Sequence, residues 1–289
     1  MRAVRPFFNY CFIAVIMTAL FAVTGCSSDK KDDSGQKGAA DNESSSTSEN
    51  DGNREVQIYT LPTPVQIPSL LKINNSVYLQ EELLPMNPSQ KTHFLRAISL
   101  GMYMIDLSYT SINSDKQKSI YYLKTVRTLM VEIGLGSKTN KSLADRFERN
   151  IETPDSLSKI ILEAYEEGHV YFREHNREGI GLLIISGCFI EGLHLSMQHT
   201  ESLSVTSLNH ALLLQKSYLT NLLRIFALFE YNDEVAEVIG ELEAIKKVLD
   251  DMGLQRFVPS EEKSTVTPEQ QKLRDLLTKK ISTLRNRLI

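Results

Sequence analysis

The chain contains little of several residue types, and each shortage excludes a class of protein. Its 289 residues include no Trp, three Cys, 14 Gly and 9 Pro. Without Trp it lacks the Trp-Leu-Gly-Tyr pattern of tetratricopeptide repeats, and no other repeat of fixed period is visible. The scarcity of Gly and Pro, with no hairpin dipeptide between alternating strands, argues against a β-protein. Acidic residues outnumber basic ones by 36 to 32, so the basic footprint of a nucleic-acid-binding protein is also missing.

Catalytic signatures are equally scarce. The chain has no glycine-rich phosphate-binding loop, no Gly-x-Ser-x-Gly elbow and no Ser/His/Asp pattern. The nearest candidate, Gly134-Leu135-Gly136, is better explained as a helix stop. We therefore predict no cofactor. Enzymatic activity stays open only because a buried carboxylate of raised pKa could serve as a general base.

A short apolar segment near the N-terminus ends at a cysteine. Arg2 and Arg5 precede an apolar run at residues 11–23, which is shorter than the about 20 residues that a membrane span needs. The pattern Val23-Thr24-Gly25-Cys26 resembles the lipobox of bacterial lipoproteins. The resemblance implies cleavage before Cys26 and two or three acyl chains on this residue, which anchor stably because each buried methylene contributes roughly 0.8 kcal/mol. The alternative is an ordinary secretory signal with a chance cysteine.

The residues after the cysteine bear on sorting. Ser27 stands where an Asp would mark inner-membrane retention, so the outer membrane is the predicted destination. The charged stretch at 28–33 (SDKKDD) resembles the short Lys/Asp-rich signal of surface-exported lipoproteins of Bacteroidota, and a solvated charge run is its alternative. We therefore predict a lipid-anchored protein of the cell outer membrane, and leave open whether the domain faces the periplasm or the cell surface.

Composition divides the chain into three parts. Residues 1–25 form the predicted signal peptide, and 26–55 form a lipidated tether without an apolar residue larger than Ala, which we expect to be disordered. Such a tether spans roughly 30 Å. Residues 56–289 form the predicted helical domain. Once Cys11 is removed and Cys26 acylated, Cys188 alone remains, which excludes an intramolecular disulfide and a cysteine-rich metal site.

The domain is predicted to be all-α: about eight mostly antiparallel helices in an irregular bundle or a short α–α array. Capping signals place most boundaries, for example Pro88 in a first turn and a capping box from Ser114 to Gln117. Residues 56–68 are expected to be extended by their prolines. The predicted helices are 88–112, 115–133, 142–150, 154–175, 179–199, 207–230, 233–252 and 268–288.

Two carboxylates occur in helices that are otherwise apolar. Glu191 lies in the helix 179–199, which is apolar nearly all round and is therefore expected at the centre of the fold. Asp106 has a similar setting. An unpaired ionised carboxylate is costly there, so each needs a partner or a raised pKa. The functional interpretation is a buried polar pocket formed by Asp106, Tyr109, Glu191 and His194. The alternative is that each carboxylate caps a helix end, or binds a Tyr hydroxyl or an Arg, to fix packing.

Two Glu-x-x-His pairs invite a metal-site interpretation. Glu166 with His169, and Glu191 with His194, have the spacing that places two ligands on one helix face in di-iron bundles. Glu166, however, lies off the apolar stripe of its helix and is predicted to point to water. Such bundles also need two further inward Glu residues on other helices. We therefore predict no metal site.

The last predicted helix has a basic face. It is expected to contact anionic headgroups or an acidic partner, or, alternatively, to pack as an amphipathic helix whose basic face is solvated. The basic residues are Lys272, Arg274, Lys279, Lys280, Arg285 and Arg287.

Several local patterns together resemble an uncharacterised group of helical lipoproteins from Bacteroidota. The matching stretches are Ala97–Gly101, Asp106–Tyr109, Arg146–Asn150, Asp155–Leu157 and Gly187–Leu193. The chain departs from the pattern at Cys188 and Phe189, where the group usually has Gly and Trp. The resemblance implies an all-helical fold and an envelope location, and it implies no activity.

The predicted function is accordingly a membrane-anchored, non-catalytic module of the cell envelope. It would bind an envelope protein or form part of an assembly, without a nucleic-acid partner. The alternative is a domain that binds a small ligand or a metal ion through the buried carboxylate pocket. Neither the partner nor the oligomeric state can be inferred from the sequence.

Overall fold

Helices make up most of the chain that the structure describes. The structure is a computed structural model and describes residues 61–86, 88, 92–135, 137–254 and 266–289. No β-strand lies in these ranges, so the predicted all-α class is confirmed. The predicted signal peptide, the predicted lipidation site Cys26 and the predicted tether lie outside the described residues.

Nine α-helices lie in the described ranges, where the sequence predicted about eight. They are α1 (Gln66–Ile73), α2 (His93–Ile112), α3 (Lys116–Glu132), α4 (Ser137–Arg149), α5 (Pro154–Glu174), α6 (Glu178–Gln198), α7 (Val205–Phe226), α8 (Asp233–Asp251) and α9 (Pro268–Arg287). The additional helix is α1, and the expectation that prolines keep residues 66–68 extended is wrong. Pro68 is the third residue of α1, where the N–H that proline lacks would have had no acceptor within the helix.

Two helices begin away from their predicted first residues. α2 begins at His93 rather than at Pro88, because the Thr92 hydroxyl accepts the Leu95 N–H at 3.3 Å and caps the helix there. α4 begins more than one turn earlier than predicted.

Capping explains a further difference at α3. The carboxylate of Asp115 accepts the Lys118 N–H at 3.1 Å, so Asp115 and not Ser114 is the cap. Ser114 instead has a φ of 60° in the turn between α2 and α3. At α9 the predicted capping box is confirmed, with Thr267 and Gln270 each binding the other's main chain.

α6 is the central helix, as its apolar circumference predicted. Its residues from Ile180 to Met197 are buried, and it packs against α1, α2, α5, α7 and α9. Among the described residues α6 is also the one helix whose length and composition would allow it to cross a membrane. Its burial inside the domain explains this composition, because a helix that is surrounded by other helices needs as apolar a surface as one that crosses a membrane.

α2 and α6 approach so closely that their main chains touch. A Cβ atom on Gly101 of α2 would lie 1.9 Å from the carbonyl oxygen of Ile184. A Cβ on Gly187 of α6 would lie 1.9 Å from the carbonyl oxygen of Ile98. Because the contact moves forward along α2 as it moves backward along α6, the two helices run in opposite directions. Only glycine permits this crossing.

Between α1 and α2 the chain forms a largely non-helical segment, residues 76–86, which we call the strap. Its one regular element is a 3₁₀ turn, Gln80–Glu82. Leu84 is its one fully buried residue, at 2 % exposure, while Val77 is 63 % exposed. The sequence predicted no element at residues 69–87, so the strap was missed. It lies over the polar residues of the core helices and is central to the site described below.

We expect Gly101→Ala and Gly187→Ala each to prevent folding or to lower the free energy of unfolding by about 3 kcal/mol or more, since α2 and α6 would have to separate. The control is Gly240→Ala in α8, where an added Cβ meets no atom within 4 Å. That substitution should stabilise by about 0.5–1 kcal/mol, because Gly is a poor helix former. Urea denaturation followed by circular dichroism measures all three. Equal effects at the three positions would contradict the close crossing.

Candidate functional site

The strap is held mainly through its main chain. Six side chains of α2, α3 and α9 form hydrogen bonds with main-chain N–H or C=O groups of the strap. These bonds therefore do not depend on the strap's own side chains. The bonds join Tyr109 Oη to the Leu79 N–H (3.0 Å), Asp106 Oδ2 to the Leu84 N–H (2.7 Å), Tyr122 Oη to Leu84 O (2.6 Å), Tyr103 Oη to Pro85 O (2.5 Å), Thr125 Oγ1 to Met86 O (2.9 Å) and Arg285 Nη2 to Glu82 O (2.6 Å).

Glu191 forms a buried, two-point ion pair with Arg285. Nε and Nη2 of Arg285 donate to the two carboxylate oxygens at 2.7 and 3.0 Å, and the side chains are 0 % and 8 % exposed. Burial raises the pKa of Glu191, and Arg285 opposes that rise. Burial lowers the pKa of Arg285, but the attraction of Glu191 outweighs it and the pKa is raised. The two-point contact therefore favours the charged form of both groups and opposes the effect of burial.

Asp106 is buried without a cation of its own. Its Oδ2 accepts the Leu84 N–H, and its Oδ1 is buried with no hydrogen-bond partner. Burial raises the pKa of Asp106 well above its usual value, the charge of Glu191 raises it further, and the Leu84 N–H opposes the rise. Asp106 is thus the group of this site most inclined to hold a proton.

The two histidines near the strap are neutral at pH 7. His194 Nε2 lies 3.0 Å from Glu82 Oε2, and burial, with the charge of Arg285, lowers the pKa of His194 to about 3. His199 Nε2 lies 3.0 Å from the Tyr109 hydroxyl, and burial lowers the pKa of His199 to about 4. Burial also raises the pKa of Tyr109 to about 12. These groups act as hydrogen-bonding partners in neutral form.

The structure thus brings the four predicted site residues to one region, beneath the strap. Glu191 binds an Arg, as the alternative interpretation allowed, and Tyr109 fastens the strap. Asp106 binds a main-chain N–H rather than a Tyr or an Arg. Two atoms in the region are buried and unpartnered, Asp106 Oδ1 and His194 Nδ1. The arrangement joins elements of the fold to each other and presents little unused bonding capacity to a ligand.

Sequence reasoning missed Glu82, the partner of His194, and gave Arg285 the wrong environment. Arg285 was expected on a basic face, yet it lies four residues after Ile281 and eight after Leu277, on the apolar stripe of α9. That spacing was a usable signal. No local pattern distinguishes Glu82, which belongs to a non-periodic segment.

The basic face predicted for α9 is smaller than expected. Arg274 and Arg285 are each only 7 % exposed, so they point inward. Arg287 pairs with Glu237 (3.0 Å) and Glu241 (3.2 Å) on α8. The lysines of α9 remain exposed or half-exposed and supply its outward positive charge.

A separate apolar cavity lies among α2, α3, α4, α5 and α6. Its volume is about 20 Å³, and it is lined mainly by Leu, Ile and Met, with His169 at its wall. Such a space holds one water molecule, whereas ligand pockets measure about 300–1,000 Å³. Burial lowers the pKa of His169 to about 4, and its Nε2 has no partner. None of the four predicted site residues lines this cavity.

The Glu-x-x-His pairs do not converge in the structure. Glu166 is exposed, as its place off the apolar stripe predicted, and His169 is part of the apolar cavity wall. Glu191 is engaged by Arg285. Within the described ranges no group of three His, Cys, Asp or Glu side chains is placed to hold a metal ion.

We expect Glu191→Gln to lower the free energy of unfolding by about 3–5 kcal/mol, because it leaves the Arg285 charge buried and unpaired. The double substitution Glu191→Leu with Arg285→Met should recover most of that loss. The matched control is Arg287→Met, which removes a cation 39 % exposed from the same helix and should change stability by less than about 1 kcal/mol. Chemical denaturation measures each variant. A Glu191→Gln effect no larger than that of the control would contradict the buried pair.

Comparison with known proteins adds no relative to this chain. No protein-family model, no curated protein and no solved structure matches it. The resemblance to helical lipoproteins of Bacteroidota therefore stays a prediction. The interpretation of the site rests on its geometry and chemistry.

Proposed function

We propose that the chain is a lipid-anchored lipoprotein of the cell outer membrane whose helical domain is a non-catalytic module that binds an envelope protein or forms part of an assembly. The observation that carries this proposal is the use of the buried polar groups. Glu191, Asp106 and Tyr109 hold α9 and the strap in place instead of surrounding a cavity. Because these buried polar groups already bind other parts of the domain, the surface of the domain is where we expect a partner to bind.

Three further observations support the proposal. The lipobox-like pattern that ends at Cys26 supplies a membrane anchor. The apolar cavity is too small for a ligand, and the larger cleft beside the strap, about 530 Å³ and lined in part by Tyr78 and Lys118, is open to solvent. Large apolar side chains are exposed as neighbours at two places, Ile120 with Tyr121 on α3 and Leu228 with Phe229 after α7, where a protein partner could bury them.

The second function, binding of a small ligand or a metal ion, is favoured by one observation. Asp106 Oδ1 and His194 Nδ1 are buried and lack partners, and such groups often belong to binding sites. Against it, Arg285 occupies both oxygens of Glu191, so one of the four residues of the predicted pocket is already engaged. We therefore rank this function second.

Anchoring is tested by Cys26→Ala in the full chain, expressed in a bacterium that processes lipoproteins. We expect the unchanged protein to incorporate an alkyne-bearing fatty acid and to fractionate with the outer membrane, and the variant to do neither. Cys188→Ala is the control, because that thiol is buried inside the domain and should not affect labelling. Fatty-acid labelling that persists in Cys26→Ala would contradict the anchor.

Partner binding is tested by photo-crosslinking in the intact envelope. A photoreactive residue replaces Tyr121, Leu228 or Leu276 in turn, three exposed side chains on different elements. If the domain binds a partner through one surface, a discrete adduct with the same envelope protein forms from one position and not from the others.

Two outcomes would contradict partner binding. Adducts that are diffuse, or identical from all three positions, would indicate random collision. A ligand that raises the melting temperature of the unchanged protein, and not that of Asp106→Asn, would favour the second function instead. At 100 times its dissociation constant a ligand contributes about 2.7 kcal/mol, which is readily measured.

A further inference from the structure

Three carboxyl groups converge on one guanidinium beneath the strap. Glu82 belongs to the strap, Asp106 to α2 and Glu191 to α6. Burial lowers the pKa of Arg285, and the charges of Glu191, Asp106 and Glu82 together reverse that effect. His194 contacts Glu82 but is neutral, since its pKa is about 3. If all three carboxyl groups were ionised, the cluster would hold more negative than positive charge, with Asp106 and Glu191 fully buried and the Glu82 side chain 28 % exposed.

Asp106 is the member of the cluster whose charge is least compensated. Both oxygens of Glu191 are taken by Arg285, while Asp106 Oδ1 has no partner and Oδ2 accepts only a main-chain N–H. Lys118 on α3 is a second cation that acts on Asp106, and it is the weakest of the influences on its pKa. The tyrosines nearby titrate far above neutral pH because burial raises their pKa values; they are Tyr103, Tyr109 and Tyr122.

The strap is held differently from the helices that surround Asp106. It is fastened by hydrogen bonds and by Leu84, its one fully buried residue, while α2, α6 and α9 are held by the apolar core. The strap also covers Asp106 directly, through the bond from the Leu84 N–H. Lifting it would admit water to Asp106 and leave the Glu191–Arg285 pair between α6 and α9 in place.

We propose that the strap is a proton-controlled latch, which stays closed while Asp106 carries a proton and is released when Asp106 ionises. An ionised Asp106 would place a second buried carboxylate beside Glu191, with one guanidinium to serve both. The repulsion and the lost hydration are relieved most directly by opening the strap, because the other surroundings of Asp106 belong to the packed core.

The direction of the pH dependence follows from proton linkage. The closed state raises the pKa of Asp106 well above its usual 3.8, so it binds the proton more tightly than the open, hydrated state does. Closure is therefore favoured at low pH. It is lost as the pH rises from the pKa that Asp106 has with the strap open towards the higher pKa that it has with the strap closed. Within that interval one proton changes the ratio of closed to open strap by about tenfold per pH unit.

The test is amide hydrogen exchange of the full chain, followed by mass spectrometry from about pH 5 to about pH 9 and corrected for the intrinsic pH dependence of exchange. We expect peptides of the strap to lose up to about tenfold protection per pH unit, while peptides of α6 keep theirs. In parallel, the infrared band of a protonated carboxylic acid should disappear over the same interval. This second measurement needs no substitution.

Two variants separate the latch from general loosening. Asp106→Asn keeps an acceptor for the Leu84 N–H but cannot ionise, so the protection of its strap should be independent of pH. Tyr78→Phe removes the hydrogen bond from the Tyr78 hydroxyl to Asp115 Oδ2 (3.0 Å), which fastens the strap outside the cluster. This substitution should lower the protection of the strap equally at every pH. The proposal is overturned if Asp106→Asn retains the pH dependence, or if α6 and the strap of the unchanged protein lose protection together.

Discussion

The ion pair between Glu191 and Arg285 is the interaction on which the arrangement of this domain depends. An ionised carboxylate at the centre of an apolar helix is costly unless a partner compensates its charge. Arg285 does this and donates a further bond to the main chain at Glu82. One guanidinium thus joins the central helix, the last helix and the strap. The close crossing of α2 and α6 then places Asp106 in the same buried region, next to a charge that is already paired.

This arrangement explains why polar residues in the core resemble a binding site without surrounding a cavity. Extended chain has main-chain groups that a helical neighbour cannot satisfy, because the helix uses its own N–H and C=O groups internally. Side chains must supply those bonds. The hydroxyls of Tyr103, Tyr109 and Tyr122 reach from the helices to the strap for this reason. A cluster of buried tyrosines and carboxylates beside an irregular segment is therefore consistent with a structural role.

The sequence predicted what depends on short-range periodicity and missed what depends on distant partners. The fold class, the central place of α6 and the burial of Glu191 and Asp106 follow from apolar spacing within one helix, and they are confirmed. The partner of Glu191 is 94 positions away, and although the spacing of Arg285 in α9 indicates that it is buried, no local pattern indicates which carboxylate it binds. The strap escaped prediction because its bonds use main-chain atoms, which every residue possesses. The start of α2 was predicted at Pro88, but the helix begins after Thr92, because the Thr92 side chain caps it there.

The place of Arg285 in the chain has a consequence for the order in which the protein can be made. Synthesis proceeds from the N-terminus, and Glu191 and Asp106 are complete long before residue 285 of 289 exists. Until then the central helix carries a carboxylate that cannot be buried at acceptable free energy, and the strap lacks one of its main-chain bonds. Pairing this charge requires a contact between residues that are 94 positions apart, so the packing of α6 is complete only once α9 is in place. A chain that has not yet acquired Arg285 therefore lacks the cation that makes burial of an ionised Glu191 favourable, and α6 and α9 depend on each other for their packing.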